Sequence, residues 1–136
     1  MNKYLLDTNV VSETRKSRPH GAVTEWLQDL ESGQSFLSAV TLGELQAGVE
    51  RARQTDPLKA AEIERWADQL AATYEVLPMD AACFREWARI AHKKQLGLLE
   101  DAMIAATARV HRLTVATRNE RDFEQLEVRT FNPFKN

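Results

Sequence analysis

Apolar positions fall in short blocks separated by longer stretches of helical period. Lys3-Tyr4-Leu5-Leu6 is a brief apolar run without alternation, the pattern of a strand covered on both faces of a parallel sheet. Asp7-Thr8-Asn9 breaks it, and Thr8 or Asn9 is placed to cap a short helix over Val10–Thr14. A helix over Ala22–Glu31 brings Val23, Trp26, Leu27 and Leu30 to one face, and Gly33 ends it. Ser35–Ser38 is a second strand. A helix from Thr41 to Gln54 follows, where Thr41 and Glu44 match the capping-box spacing and Gly48 suggests close packing. Asp56 and Pro57 open a helix to Thr73 with Leu58, Ala61, Ile63, Trp66, Leu70 and Tyr74 on a broad apolar face. Glu75–Pro78 is a third strand, and Asp80 caps a helix over Ala81–Gln95. A loop at Leu96–Leu99 leads to a helix of small residues from Glu100 to Ala108. Leu113–Thr117 is the strongest strand, Glu120–Glu124 a short helix or turn, and Val128–Phe131 an edge strand.

This alternation predicts an α/β domain with a mostly parallel central sheet and a long helical hairpin between the second and third strands. The 136 residues suit a single domain, 1–136, with one core. Hydrophobic residues at 43% and charged residues at 28% argue against disorder. No apolar run reaches membrane-spanning length, and the first one stops at Asp7, unlike a signal peptide. Cys83 is the single cysteine, which excludes an internal disulfide and a multi-thiolate zinc site, and a reducing cytoplasm is the expected compartment. The net charge of −2 means that any polyanion contact has to come from local basic patches. Such patches occur at Arg15, Lys16 and Arg18 and along Arg85, Arg89 and Lys93 at helical spacing, although each also reads as a solvated face.

Four acidic stretches change the picture. Asp7 follows the first strand, Glu44 and Asp101 lie at helix beginnings, and Asn119 and Asp122 follow the strongest strand. A parallel sheet gathers strand carboxyl ends and helix amino ends at one edge, where ligands bind. Each acid alone has a plainer reading: Asp7 as a helix cap, Glu44 as a capping-box partner, Asp101 as a first-turn charge facing the helix dipole. Together they carry a cost. Two carboxylates about 5 Å apart repel by roughly 3 kcal/mol at an effective dielectric near 20, more than the ~2 kcal/mol at most that a cap supplies. A cation or bound protons would offset it. All-oxygen donors select magnesium or manganese, and no histidine is needed: His20, His92 and His111 lie outside these stretches.

Leu5-Leu6-Asp7-Thr8-Asn9-Val10, Ser38 to Leu45 with Gly48, Asp101 to Ala108, Thr117-Arg118-Asn119 through Asp122-Phe123, and Asn132-Pro133-Phe134 occur in this order. In that order they resemble the PIN-domain VapC toxins of type II toxin–antitoxin pairs, in the FitB-like branch, over nearly the whole chain. The resemblance implies a three-layer α/β/α fold with a helical hairpin insertion and a magnesium- or manganese-dependent endoribonuclease. It implies Asp7, Glu44 and Asp101 as metal ligands, Asp122 as the fourth catalytic acid, and Asn119, which stands where the family often has Asp, as a neutral contact. Thr8 and Thr117 would orient carboxylates or water. Arg15, Arg18, Arg85, Arg89, Lys93 and Arg118 become candidates to hold the RNA backbone. A homodimer and a cognate VapB-like antitoxin, whose tail covers the acids, are implied partners, with no membrane. The implied reaction leaves 5′-phosphate and 3′-hydroxyl ends. A catalytically weak PIN-like module that binds RNA or a partner is the alternative. A phosphatase using Asp7 as nucleophile would want a second Asp two residues on, where Asn9 stands.

Overall fold

The computed structural model describes residues 1–92 and 99–135. Lys93, the end of the helix expected to reach Gln95, and loop residues 96–98 lie outside the described residues. Five strands form one all-parallel sheet in the order β3-β2-β1-β4-β5. They are β1 (Tyr4–Leu6), β2 (Ser35–Ser38), β3 (Glu75–Leu77), β4 (Thr114–Ala116) and β5 (Thr130–Phe131). The helices are α1 (Thr8–Val11), α2 (Gly21–Asp29), α3 (Ala39–Arg53), α4 (Pro57–Thr73), α5 (Ala81–His92), α6 (Leu99–His111) and α7 (Glu120–Glu124), and a 3-10 turn over Ser12–Arg15 continues α1.

The continuous apolar pair in β1 has a direct cause. Successive strand side chains point to opposite faces, and both faces of β1 are covered. Leu5 enters a core with Ile104, Ala105, Val115, Phe123 and Leu126 beneath α5, α6 and α7. Leu6 enters a second core with Val10, Val23, Leu37, Leu70 and Ala116 beneath α1, α2 and α4. The small residues of α6, Ala102, Ala105, Ala106 and Ala108, are all buried and let that helix lie closely on the sheet. The central register pairs Tyr4, Leu5 and Leu6 with Thr114, Val115 and Ala116, so β1 and β4 end side by side.

Several local expectations change. Asp7 itself caps α1, accepting the Thr8 amide at 2.9 Å, in place of Thr8 or Asn9. Ser38 caps α3 by accepting the Val40 amide at 3.0 Å, so the Thr41–Glu44 capping box is not formed and Glu44 lies in the second turn. Thr41 is fully buried, and its hydroxyl has no partner. A Cβ on Gly48 would meet only the Arg51 guanidinium, at 3.7 Å, so this glycine marks no close helix contact. Gly33 does serve a turn, with φ at +86°. Leu58, expected on the apolar face of α4, is 85% exposed. Trp66 on the same helix is used within the chain: its indole N–H donates to Thr14 Oγ1 at 2.9 Å, and Arg15 stacks over its ring. Among the described residues no helix is long and apolar enough to cross a membrane.

The two candidate caps of α3 separate on substitution. Ser38→Ala should lower unfolding free energy by about 1 kcal/mol. Thr41→Val should leave it unchanged or raise it by up to about 1 kcal/mol, because an orphan hydroxyl is removed. Urea denaturation of both variants checks this, and a larger loss in Thr41→Val than in Ser38→Ala would return the cap to Thr41.

Candidate functional site

The site begins where β1 and β4 stop. Asp7 is the first residue past β1 and its amide donates to the Ala116 carbonyl at 2.9 Å, which holds the chain in register one step beyond the sheet. Its side chain is buried and fully engaged. Oδ2 accepts from Thr117 Oγ1 at 2.8 Å and from Asn9 Nδ2 at 3.2 Å, and Oδ1 accepts the Thr8 amide. Thr117 Oγ1 in turn accepts the Asn119 amide at 2.9 Å. Asn9 Oδ1 accepts the Arg118 amide at 3.1 Å. These bonds lock the Asp7-Thr8-Asn9 and Thr117-Arg118-Asn119 turns together. The Thr8 hydroxyl is buried with no partner.

The other acids feel Asp7. Burial pushes the Asp101 carboxyl up to about 6, and the charges of Asp7, Asp122 and Glu100 add to it. Burial also pushes Glu44 up to about 8; Glu100 lies within hydrogen-bonding reach of it, and Asp7 and Asp101 repel its charge. Asp7 is raised as well, since burial outweighs the hydrogen bonds from Thr117, Thr8 and Asn9, and Asp122 contributes repulsion. The acids of the four stretches therefore lie close enough to feel one another's charge, with Asp7 from the end of β1, Glu44 from α3, Asp101 from α6 and Asp122 from α7.

Glu100 is a fifth acid in this group that the sequence does not single out. An acid in a first helical turn reads as dipole compensation, and only the packing of α6 on α3 turns it toward Glu44. Asn9 is a second omission, quoted in the motif but without the role it has as the clasp between the two turns.

Several predicted residues stand elsewhere. Asn119 contributes its amide, and no hydrogen bond of its side chain is formed among the described residues. Arg15 lies over Trp66 at 5.7 Å. Arg18 sits exposed in the loop after the 3-10 turn, and Arg85 is exposed on α5. Arg89 is bound to Glu86 at 2.8 Å, and Glu86 also holds Arg109, which lies about 12 Å along α6 from Asp101. Lys93 is outside the described residues. Of the five RNA-backbone candidates among the described residues, only Arg118 is linked to an acid of the group, its amide reaching Asp7 through Asn9.

A divalent cation fits this donor set. All donors are oxygen, Glu44 Oε1 is buried without a partner among the described residues, and the acids repel one another. As the side chains stand, no three metal-binding groups among the described residues close on one point. The acids share a space and have not drawn together into a cage.

Residues 4–128 match the family model described as PIN domain. The chain is 38% identical to Toxin FitB of Neisseria gonorrhoeae, over 96% of this chain and 97% of that protein. It is 34% identical to VapC ribonuclease Y4jK of Sinorhizobium fredii, over 96% and 97%. The crystal structure of FitAcB from Neisseria gonorrhoeae superposes with a TM-score of 0.84 at 35% identity, covering 98% of this chain and 99% of that one.

The raised acids set a stability profile. An acid held above its ordinary value in the folded state stabilises the fold when protonated. That stability is complete below the unfolded value and is lost as pH rises through the folded one. For Glu44 the window runs from 4.5 to about 8, and for Asp101 from 3.8 to about 6. In chelator, the melting temperature should fall as pH rises across these windows, and Glu44→Gln should flatten the upper part. Magnesium or manganese should restore stability most at the alkaline end, where protons no longer compete. Melting temperature against pH, with and without metal, checks this, and a flat metal-free profile would count against the electrostatic account.

Proposed function

The chain belongs to the PIN-domain family, and on that premise we propose that it is the ribonuclease toxin of a toxin–antitoxin pair, a metal-dependent endoribonuclease. The reading is carried by one observation: the convergence of Asp7, Glu44, Asp101 and Asp122 at the carboxyl edge of a parallel sheet, where burial and mutual repulsion raise the pKa values of the first three. The ribonuclease name of a relative aligned over nearly its whole length supports the substrate class.

Asp7, Glu44 and Asp101 would hold magnesium or manganese, with Asp122 completing the acidic rim. When bound, such an ion lowers the pKa of water and stabilises charge on the phosphoryl and leaving oxygens. The chain's own residues do the rest. Thr117 and Asn9 fix the Asp7 carboxylate so that one oxygen is always presented in the same direction. Glu44 Oε1, buried and without a partner among the described residues, is an oxygen left over for the ion. Asp122 lies on the side where the chain opens into a polar groove, and there it would orient the attacking water for in-line displacement. The products would carry 5′-phosphate and 3′-hydroxyl ends, with the 2′-hydroxyl as a spectator. A VapB-like antitoxin would inhibit by placing an Arg among the same acids. The exposed Phe84 and Leu58 offer apolar surface to a homodimer. The binding-module reading draws on the neutral Asn119.

Cleavage of total small RNA decides between them. Wild type with magnesium or manganese should cut and leave 5′-phosphates. Chelator or Asp7→Asn should abolish cutting, and Thr117→Val should slow it about 10- to 100-fold. End mapping and rates check this; RNA retained by folded wild type but never cut would favour the binding module.

A further inference from the structure

The basic loop after α1 is organised by a buried acid that lies outside the catalytic group. Glu13 is 3% exposed, and both its oxygens are used. Oε2 receives Lys16 Nζ, and Oε1 receives the His20 amide at 2.8 Å. A carboxylate this buried persists only when paired and hydrogen-bonded. What it secures is the path of residues 13 to 20, so that the His20 ring stands edge-on to Phe134 at 5.2 Å. A second partner of Phe134 is Arg118, whose guanidinium carbon lies 3.8 Å from the ring centroid. Phe134 is itself held, its amide donating to Asn132 Oδ1 at 2.9 Å and its ring resting on the core that contains Leu6.

Arg118 is thus fixed from two sides. Its side chain is seated on an aromatic face, and its amide is clasped by Asn9, which also holds Asp7. A guanidinium stacked on a ring keeps its N–H edges free for a planar, two-point contact with phosphate. No ion pair forms at Arg118 among the described residues, whereas Lys135 in the same groove is bound to Glu120 at 3.1 Å. That groove, about 430 Å³, is lined by the cations Arg118, Arg121 and Lys135 and by the acids Glu120, Asp122 and Glu124, and through Asp122 it adjoins the acidic rim. A strand whose scissile phosphate lies among the acids has its next phosphate to place, and the acids repel it. The groove is the adjoining surface where a positioned cation awaits.

Resting on the ribonuclease reading, we propose that Arg118, seated on Phe134 and anchored through Asn9 to Asp7, binds the RNA phosphate that flanks the scissile bond, and that Glu13, through His20 and Phe134, is the positioning residue for that seat.

The test uses the full chain. Kinetics are read with metal, and binding of a short fluorescein-labelled single-stranded RNA of mixed sequence is read by anisotropy in chelator, where cutting stops and the Asp7–Asn9 clasp is intact, at several salt concentrations. Arg118→Ala should raise KM and Kd about 3- to 10-fold, change kcat by less than about twofold, and reduce the dependence of log Kd on log salt by about one phosphate contact. Arg118→Lys should restore the salt slope but not the affinity, since an ammonium cannot reproduce the stack. Phe134→Leu and Glu13→Gln should weaken binding with the slope retained, in chains whose melting shows them folded. An unchanged KM, Kd and slope in Arg118→Ala overturns the proposal, as does a loss in kcat alone. Unchanged RNA binding with weakened binding of an antitoxin protein would give the seat to the protein partner and overturn it too. If the folded wild type binds no RNA in chelator and cuts none with metal, the ribonuclease reading falls first and this assignment with it.

Discussion

One hydrogen bond supports the rest: Thr117 Oγ1 to Asp7 Oδ2, across the ends of two parallel strands that neighbour one another in the sheet though 110 residues apart in sequence. It exists because β1 and β4 run in the same direction, in register, and stop together. The acid of one strand end and the hydroxyl of the other then face each other by construction. Asn9 reinforces the contact from the Asp7 side and the Asn119 amide from the Thr117 side. Had the pair been antiparallel, the two turns would lie at opposite edges and no such clasp would form.

Against this clasp stands the mutual repulsion of the acids. Hydrogen bonds favour the ionised form of Asp7, yet its pKa remains raised because burial costs more than those bonds return. Glu44 is the extreme case, half-buried beside Glu100 with one oxygen unpartnered. The frame is rigid and the charge on it is uncomfortable. That combination suits a site whose missing component is positive.

The parallel sheet and the acidic stretches were legible because both are written in short local patterns. Leu5-Leu6 announces a strand covered on two faces, and each motif acid follows a strand or opens a helix. What the sequence does not show are choices among equal local candidates. Ser38 and Thr41 are both good caps, and the Thr41–Glu44 spacing fits a capping box, but the chain leaves the sheet at Ser38 and takes the first suitable oxygen. Glu100 reads as a dipole partner until α6 packs on α3. Trp66 reads as a surface in need of a partner until Thr14 meets its indole. The basic run from Arg15 to His20 reads as solvated or phosphate-binding, and nothing local says that Glu13 gathers it.

The sheet's flanks carry a consequence of their own. The edge strands β5 and β3 are two and three residues long, and β5 is tethered beside an aromatic group of Tyr4, Trp26 and Phe131. An edge so brief exposes too few unpaired backbone groups to template an incoming strand. Association by β-augmentation, and the amyloid-like stacking that grows from it, is therefore disfavoured at both margins. A protein partner of this chain would meet side chains and helices rather than a sheet edge.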